Sequence, residues 1–115
     1  MDNSISIVIS FYNESKNINM LVEKIQNLKK INPYIKEVIL VDNASTDKTG
    51  EVLENVCKRN TFLFIKNSQS IGYGDGYFAG IKKATSNYIL MNHSDLQFSF
   101  NISKKYIKEI ENNTD

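Results

Sequence analysis

The sequence predicts an α/β domain with a doubly wound, mainly parallel sheet. Short and almost wholly apolar runs alternate four times with stretches whose apolar residues recur at helical spacing. Strands that alternate with helices of this length imply right-handed crossovers and parallel pairing. Apolar residues at nearly every strand position are expected when helices cover both faces of a sheet. Because 115 residues suit one core, we expect residues 1–115 to form a single domain.

The first two strand–helix units are bounded by clear polar segments. The first strand is expected from Ile5 to Ile9, and a helix follows from Asn17 to Leu28, which Pro33 prevents from continuing. The second strand is expected from Glu37 to Val41. Ser45-Thr46-Asp47 then reads as a turn and helix N-cap. The apolar face of the helix that follows comprises Val52, Leu53, Val56 and Cys57.

The last two units flank a glycine-rich segment. We expect the third strand from Thr61 to Ile65, a turn at Gly72–Gly76, and the fourth strand from Tyr88 to Met91. A helix between the last two strands carries Phe78, Ile81 and Ala84. A final amphipathic helix is marked by Ile102, Tyr106, Ile107 and Ile110.

Composition excludes several classes of protein. A net charge of +1, with scattered Lys and Arg, gives no electrostatic basis for binding nucleic acid. A single cysteine excludes an internal disulfide and any cysteine-cluster metal site, and the apolar setting of Cys57 predicts a small core residue. Because no apolar run approaches the length of a membrane span and no signal peptide opens the chain, we expect a cytoplasmic location.

The glycine-rich segment does not match the common nucleotide-binding fingerprints. From Gly74 through Gly76 to Gly80 the spacing is one residue longer than the dinucleotide fingerprint, and the segment follows the third strand rather than the first. No G-K-[ST] is present, which excludes a P-loop. Two interpretations stay open. The glycines let the backbone approach a phosphate or sugar, or they form a flexible turn with an N-cap at Asp75.

Two further enzyme classes fit poorly. A response-regulator receiver needs an acidic pair after the first strand, where this chain has Tyr12-Asn13-Glu14, and an aspartate after the third, where it has Lys66-Asn67. A hydrolytic triad is excluded because His93-Ser94-Asp95 are consecutive and cannot line up as nucleophile, base and orienting group.

Polar segments follow the first, second and fourth strands, at Tyr12–Glu14, Asp42–Ser45 and His93–Gln97. In doubly wound sheets, ligands bind beyond the carboxyl ends of strands where the strand order reverses. With an order of 3-2-1-4, the first and fourth segments would face each other. Asp95 and Gln97 could then turn toward one metal ion or one polar ligand. The alternative is that Ser94 or Asp95 only caps the helix that follows.

Taken together, these segments resemble the N-terminal, nucleotide-binding half of a family 2 glycosyltransferase with the Rossmann-like GT-A fold. The resemblance runs from about residue 5 to about residue 110 and is highly specific because the segments keep the family's order and spacing. It is most similar to the dolichol-phosphate mannosyltransferase-like branch of polyprenyl-phosphate sugar transferases. The matching segments are Ile7–Glu14, Val41–Asp47, Gly72–Gly74, Gly80, Ala84 and Ser94–Gln97.

The resemblance implies a set of residues that bind a nucleotide sugar. Tyr12 would pack its ring on the base, and Glu14 would accept hydrogen bonds from the base or ribose. Val41 and Asn43 would meet the base from the second loop, whereas Asp42 would orient that loop. The implied nucleotide-sugar-binding residues are Ser10, Tyr12, Glu14, Val41, Asn43, His93, Ser94 and Asp95.

The resemblance also implies a divalent metal, Mg²⁺ or Mn²⁺, that bridges the diphosphate of the donor. Asp95 would be its main ligand, with Gln97 and His93 as further ligands.

Two positions depart from the family pattern. His93 stands where the family's D-x-D motif begins with aspartate, and Ser10 stands where a proline is usual. An imidazole can bind Mn²⁺ but supplies no carboxylate.

The implied activity is transfer of a sugar from a UDP- or GDP-sugar to an acceptor such as a polyprenyl phosphate or cell-surface glycan. Peripheral association with the cytoplasmic membrane face is compatible with it. The family's acceptor-binding half and catalytic base are expected beyond this chain, and no residue here is a convincing base. The alternative is a truncated or degenerate, non-catalytic module that binds a nucleotide sugar or a protein.

The fourth strand would be an edge strand. We therefore expect the chain to form a homodimer through this strand or to cover the strand with the final helix.

Overall fold

The computed structural model describes residues 3–68 and 73–93, excepting the side chains of residues 73–76, 92 and 93. Its four strands form one parallel sheet in the order β3-β2-β1-β4, which confirms the predicted fold class and strand order. The predicted helix from Ile102 to Ile110 lies outside the described residues. The elements are β1 (Ile5–Phe11), a 3₁₀ turn (Ser15–Asn17), α1 (Ile18–Ile31), β2 (Ile35–Asn43), α2 (Thr49–Asn60), β3 (Leu63–Asn67), α3 (Tyr73–Lys83) and β4 (Tyr88–His93).

Alternation along the strands divides the core into two layers. Side chains at successive positions of a strand point to opposite faces. On β1, residues 5, 7, 9 and 11 lie in the larger core, whereas Val8 lies in the smaller one. The larger core is closed by the apolar faces of α1 and α2, including Ile25 and Leu53. The smaller core joins Val8, Ile39 and Val41 to α3. The sheet is therefore buried on both faces, as its apolar strands predict.

Cys57 confirms the core position expected for it. Its side chain is buried in the larger core, and burial raises the pKa of its thiol to about 12. A thiol with such a pKa carries almost no thiolate at neutral pH, so Cys57 has a packing role.

The third strand begins two residues later than predicted. Thr61 adopts a left-handed conformation with φ of 61°, and its backbone N–H donates to the carbonyl of Cys57. A left-handed residue of this kind ends a helix. The β-branched side chain of Thr61, which favoured a strand in the sequence, therefore belongs to the C-terminal cap of α2.

The glycine-rich turn predicted at Gly72–Gly76 is wrong for residues 73–76, which form the first turn of α3. Packing of an apolar helix face can outweigh a low intrinsic helix propensity. The packed face differs in part from the expected set of Phe78, Ile81 and Ala84, of which Ala84 packs as expected. It uses Tyr77, Ala79 and the following Ala84, whereas Phe78 is 55% exposed. The Lys82 Nζ lies over the Phe78 ring, 4.6 Å from its centroid.

β4 is an outer strand of the described sheet and pairs with β1. This position agrees with the edge expected for the fourth strand, and the homodimer stays a prediction. Among the described helices, none combines the length and apolar character needed to cross a membrane.

Candidate functional site

Three strands end side by side at one edge of the sheet. Phe11 at the end of β1 is in register with Asp42 on β2, and Ser10 is in register with both Val41 and His93. Three of the predicted site residues, Ser10, Val41 and His93, therefore occupy neighbouring positions on three strands. The segment that holds Ser94, Asp95 and Gln97 lies outside the described residues.

Asp42 and Asn43 are adjacent in sequence, and their side chains lie on opposite faces of β2. Asp42 is 1% exposed, and its Oδ1 accepts a hydrogen bond from the Ser45 backbone N–H at 3.1 Å. Its other oxygen lies against Gly50 of α2, so closely that a Cβ on Gly50 would come within 2.6 Å. Asp42 is thus packed under α2 and orients the second loop, as expected from the sequence.

Asn43 lies on the opposite face of β2, the face of Val41 and α3. Its Oδ1 accepts a hydrogen bond from Asn67 Nδ2 at 3.1 Å, which joins the carboxyl ends of β2 and β3 and orients the Asn43 amide. Val41 is fully buried in the smaller core. Its burial favours a packing role, and the contact with a nucleotide base predicted for it stays a prediction.

The first loop presents an aromatic ring and a carboxylate. Tyr12 is 48% exposed, so its ring is accessible at the edge of the sheet. Glu14 is half-buried, and its Oε2 accepts a hydrogen bond from Asn17 Nδ2 at 2.9 Å. Its backbone N–H donates to Thr49 Oγ1 at 3.0 Å. The hydrogen bond from Asn17 orients the Glu14 carboxylate, and the contact with Thr49 holds the Glu14 backbone.

Asn13, to which the sequence assigned no role, connects the first loop to the second. Its Oδ1 accepts hydrogen bonds from the backbone N–H groups of Thr46 at 2.9 Å and Asp47 at 3.3 Å. Its Nδ2 lies 3.2 Å from Thr46 Oγ1, and its backbone N–H donates to Ser45 Oγ at 3.0 Å. We call these contacts of Asn13 with Ser45, Thr46 and Asp47 the inter-loop latch.

The helix N-cap predicted at Ser45-Thr46-Asp47 lies one residue later, at Lys48, which makes no side-chain cap hydrogen bond. Asp47 precedes this cap and contacts the first residue of α2. Its Oδ1 accepts hydrogen bonds from the backbone N–H of Thr49 at 2.8 Å and from the Thr49 hydroxyl. Its Oδ2 lies 3.5 Å from Ser15 Oγ in the first loop. These hydrogen bonds, above all those from Thr49, hold the pKa of the Asp47 carboxyl below its ordinary value of 3.8.

The lowered pKa of Asp47 predicts an acid-dependent contribution to stability. A carboxyl whose pKa falls on folding contributes stability above its unfolded pKa, and that contribution is lost as the pH falls through the folded value. We expect Asp47→Asn to lose less unfolding free energy than the parent chain between about pH 7 and about pH 3. Urea unfolding at the two pH values measures this difference. Equal acid dependence in the two proteins would contradict the prediction.

The described residues do not by themselves form a metal site. Among the residues whose side chains the structure describes, no group of three or more His, Cys, Asp or Glu could hold an ion. The ligands expected from the sequence are His93, whose backbone alone is described, and Asp95 and Gln97, which follow it. β4 ends at the same edge of the sheet as β1, because His93 is in register with Ser10.

Known proteins share this arrangement of strands. A mannosyltransferase from Pyrobaculum calidifontis, solved with GDP-Man and Mn²⁺, superimposes with a TM-score of 0.74 and 17% identity over 90% of this chain and 31% of that protein. S. aureus TarS, solved with UDP-GlcNAc, superimposes with a TM-score of 0.72 and 23% identity over 95% of this chain and 31% of that one. These likenesses confirm the predicted GT-A fold.

Sequence comparison assigns the family. The chain is 27% identical to dolichol-phosphate mannosyltransferase of Pyrococcus furiosus over 96% of its own length, and it spans 31% of the length of that relative. That relative is of the branch to which the sequence was most similar. Residues 6–115 match the family model described as glycosyl transferase family 2. The resemblance inferred from the sequence is confirmed, and the chain belongs to glycosyl transferase family 2.

Proposed function

We propose that this chain forms the donor-binding part of an enzyme that transfers a sugar from a UDP- or GDP-sugar. The observation that carries the proposal is the shared edge at which β1, β2 and β4 end, with Ser10 in register between Val41 and His93. Such an edge is where doubly wound sheets bind nucleotides. Family membership and two structural neighbours solved with nucleotide sugars support it.

The proposed contacts to the nucleotide come from the first two loops. The exposed Tyr12 ring would stack on the base, and the oriented Glu14 carboxylate would accept hydrogen bonds from the base or ribose. The Asn43 amide can both donate to and accept from a base edge. Ser10 and His93, which flank each other on β1 and β4, would line the donor site together with Ser94.

A divalent metal, Mg²⁺ or Mn²⁺, would be held by the last residue of β4 and the segment that follows it. The donor set suits it, because Asp95 supplies a carboxylate, Gln97 an amide oxygen and His93 an imidazole. Mn²⁺ accompanies GDP-Man in the Pyrobaculum neighbour. When bound, the ion would offset the charge that develops on the departing nucleoside diphosphate.

The acceptor is proposed from the relatives alone. A polyprenyl phosphate fits the dolichol-phosphate mannosyltransferase relative, and a glycan is the alternative. A lipid acceptor would place the enzyme in the cytoplasm at the membrane face. A non-catalytic binding module is the second candidate. It is favoured by one observation, the imidazole of His93 where the family pattern has a carboxylate.

Nucleotide binding is the direct test of the proposal. We expect UDP or GDP with Mn²⁺ to bind weakly and to raise the melting temperature, because a ligand that binds only the folded state stabilises it. Isothermal calorimetry measures the affinity. Tyr12→Ala should weaken binding because it removes the stacking ring.

Tyr34→Ala is the matched control. Tyr34 is also a partly exposed tyrosine, but it precedes β2 at the opposite end of the sheet, so its removal should leave the affinity unchanged. Absence of heat with both nucleotides at millimolar concentration would refute the proposed function.

A further inference from the structure

The inter-loop latch joins the two loops to which the nucleotide contacts are assigned. Tyr12 and Glu14 lie on either side of Asn13 in the first loop, and Asn43 precedes the second loop directly. The two loops are far apart in sequence, since Asn13 and Thr46 are separated by 33 positions. Their relative placement therefore depends on contacts between them, and the side chain of Asn13 makes four of these contacts with Thr46 and Asp47.

Asn13 has the backbone and the side chain that this position requires. Its φ is 51°, in the left-handed region that asparagine tolerates better than most residues. Its amide carries both an acceptor and a donor. The acceptor takes the two backbone N–H groups of Thr46 and Asp47, and the donor reaches the Thr46 hydroxyl. A residue that lacked either property would leave part of the latch unmade.

Two neighbouring contacts also join the first loop to the start of α2 and the region just before it, but they do not replace the latch. Glu14 is joined to Thr49 through its backbone, and Ser15 lies near Asp47 at 3.5 Å. The first contact reaches Thr49 at the start of α2, and the second reaches the side chain of Asp47. Asn13 accepts hydrogen bonds from the backbone of Thr46 and Asp47, which lie between Asn43 and that helix. Its side chain thus fixes the middle of the second loop.

We infer that Asn13 is a positioning residue for the nucleotide, which acts by holding the second loop against the first rather than by touching the ligand. The inference rests on the proposed function. The latch joins the first and second loops into one base-binding unit. The free-energy cost of ordering the second loop is then met on folding and not on ligand binding.

The test uses three substitutions at Asn13 that separate backbone from side chain. Asn13→Gly keeps the left-handed conformation accessible and removes the side chain. Asn13→Asp keeps the acceptor for the N–H groups of Thr46 and Asp47. We expect the Kd for UDP or GDP with Mn²⁺ to rise about tenfold in Asn13→Gly, equivalent to roughly one lost hydrogen bond, and to recover in part in Asn13→Asp. Asn13→Ala should be the weakest binder because it adds backbone strain.

A second readout needs no nucleotide. The backbone amides of Thr46 and Asp47 should exchange with deuterium faster in Asn13→Gly, while amides of β1 and β2 keep their parent rates. Gln26→Ala is the matched control. It removes a side-chain hydrogen bond of 2.7 Å between α1 and Asn60, at the end of α2 remote from the loops, and should change neither readout.

The outcomes separate the two proposals. Unchanged exchange at Thr46 and Asp47, or unchanged affinity in Asn13→Gly when the parent chain binds nucleotide, would overturn the role of Asn13 and leave the proposed function standing. Failure of the parent chain to bind either nucleotide would overturn the proposed function, and the role of Asn13 with it.

Discussion

Replacing Gly80 with alanine is expected to lower the free energy of unfolding by about 1–3 kcal/mol, the usual cost of overpacking a core. A Cβ at this position would lie 2.4 Å from Val8 Cγ1 and 3.3 Å from Val41 Cγ2. Val8 is fully buried on β1, an inner strand of the sheet, so its branched side chain would have to shift within the core. Alanine is the better helix former by about 1 kcal/mol, so a loss of stability would show that packing dominates. Urea unfolding measures the change.

A double-mutant cycle identifies the cause of that loss. Val8→Ala removes the methyl group that a Cβ on residue 80 would meet. Val8→Ala and Gly80→Ala should therefore cost less together than the sum of their separate effects. Lys83→Ala, at an exposed position of the same helix, should be nearly neutral. A Gly80→Ala variant at least as stable as the parent chain would contradict the prediction.

The close approach at Gly80 also bears on the candidate site. Val41 belongs to the layer that Gly80 touches, and Asn43 follows two positions later on the same face of β2. Gly80 thus sets the distance between α3 and the face of the sheet that carries Asn43. A resemblance to the family pattern identified Gly80 from the sequence, but only the structure gives its physical reason.

The fold could be predicted because its determinants are local. Apolar runs such as Ile5–Ile9 are long enough to indicate strands. Pro33 indicates that α1 ends before this residue. One error arose where a conformation depends on distant contacts, and the other where a local helix cap outweighed the strand propensity of one side chain. Residues 73–76 have poor helix propensity and are helical next to a face that packs on the sheet. Thr61 favours a strand by its side chain, yet it forms the cap of α2.

The candidate site was predictable to the level of strand ends and no further. Parallel order places the ends of β1, β2 and β4 at one edge, which brings Ser10, Val41 and His93 into neighbouring positions. The inter-loop latch was not predictable, because its hydrogen bonds depend on the register of Phe11 with Asp42. Apolar residues at nearly every position of β1 and β2 do not specify that register.

Asp95→Ala is expected to abolish the part of nucleotide binding that requires Mn²⁺. Asp95 is the only carboxylate among the three proposed ligands, and loss of it leaves an imidazole and an amide, which bind such an ion weakly. Calorimetry with UDP or GDP, with Mn²⁺ and with a chelator, measures the metal-dependent part. Circular dichroism checks that the fold is intact. Glu23→Ala removes an exposed carboxylate from α1 and serves as the matched control, with no expected effect.

His93→Asp tests whether the departure at the end of β4 weakens the metal site. A carboxylate at this position would restore the family's acidic pair with Asp95 and add a hard oxygen ligand. We therefore expect His93→Asp to strengthen Mn²⁺-dependent nucleotide binding, and to do so with Mg²⁺ as well, since Mg²⁺ prefers oxygen over imidazole. Weaker Mn²⁺-dependent binding in this variant would instead identify the imidazole as a ligand in its own right. The site would then suit an ion that accepts a nitrogen ligand, and His93 would be one of the residues that bind it.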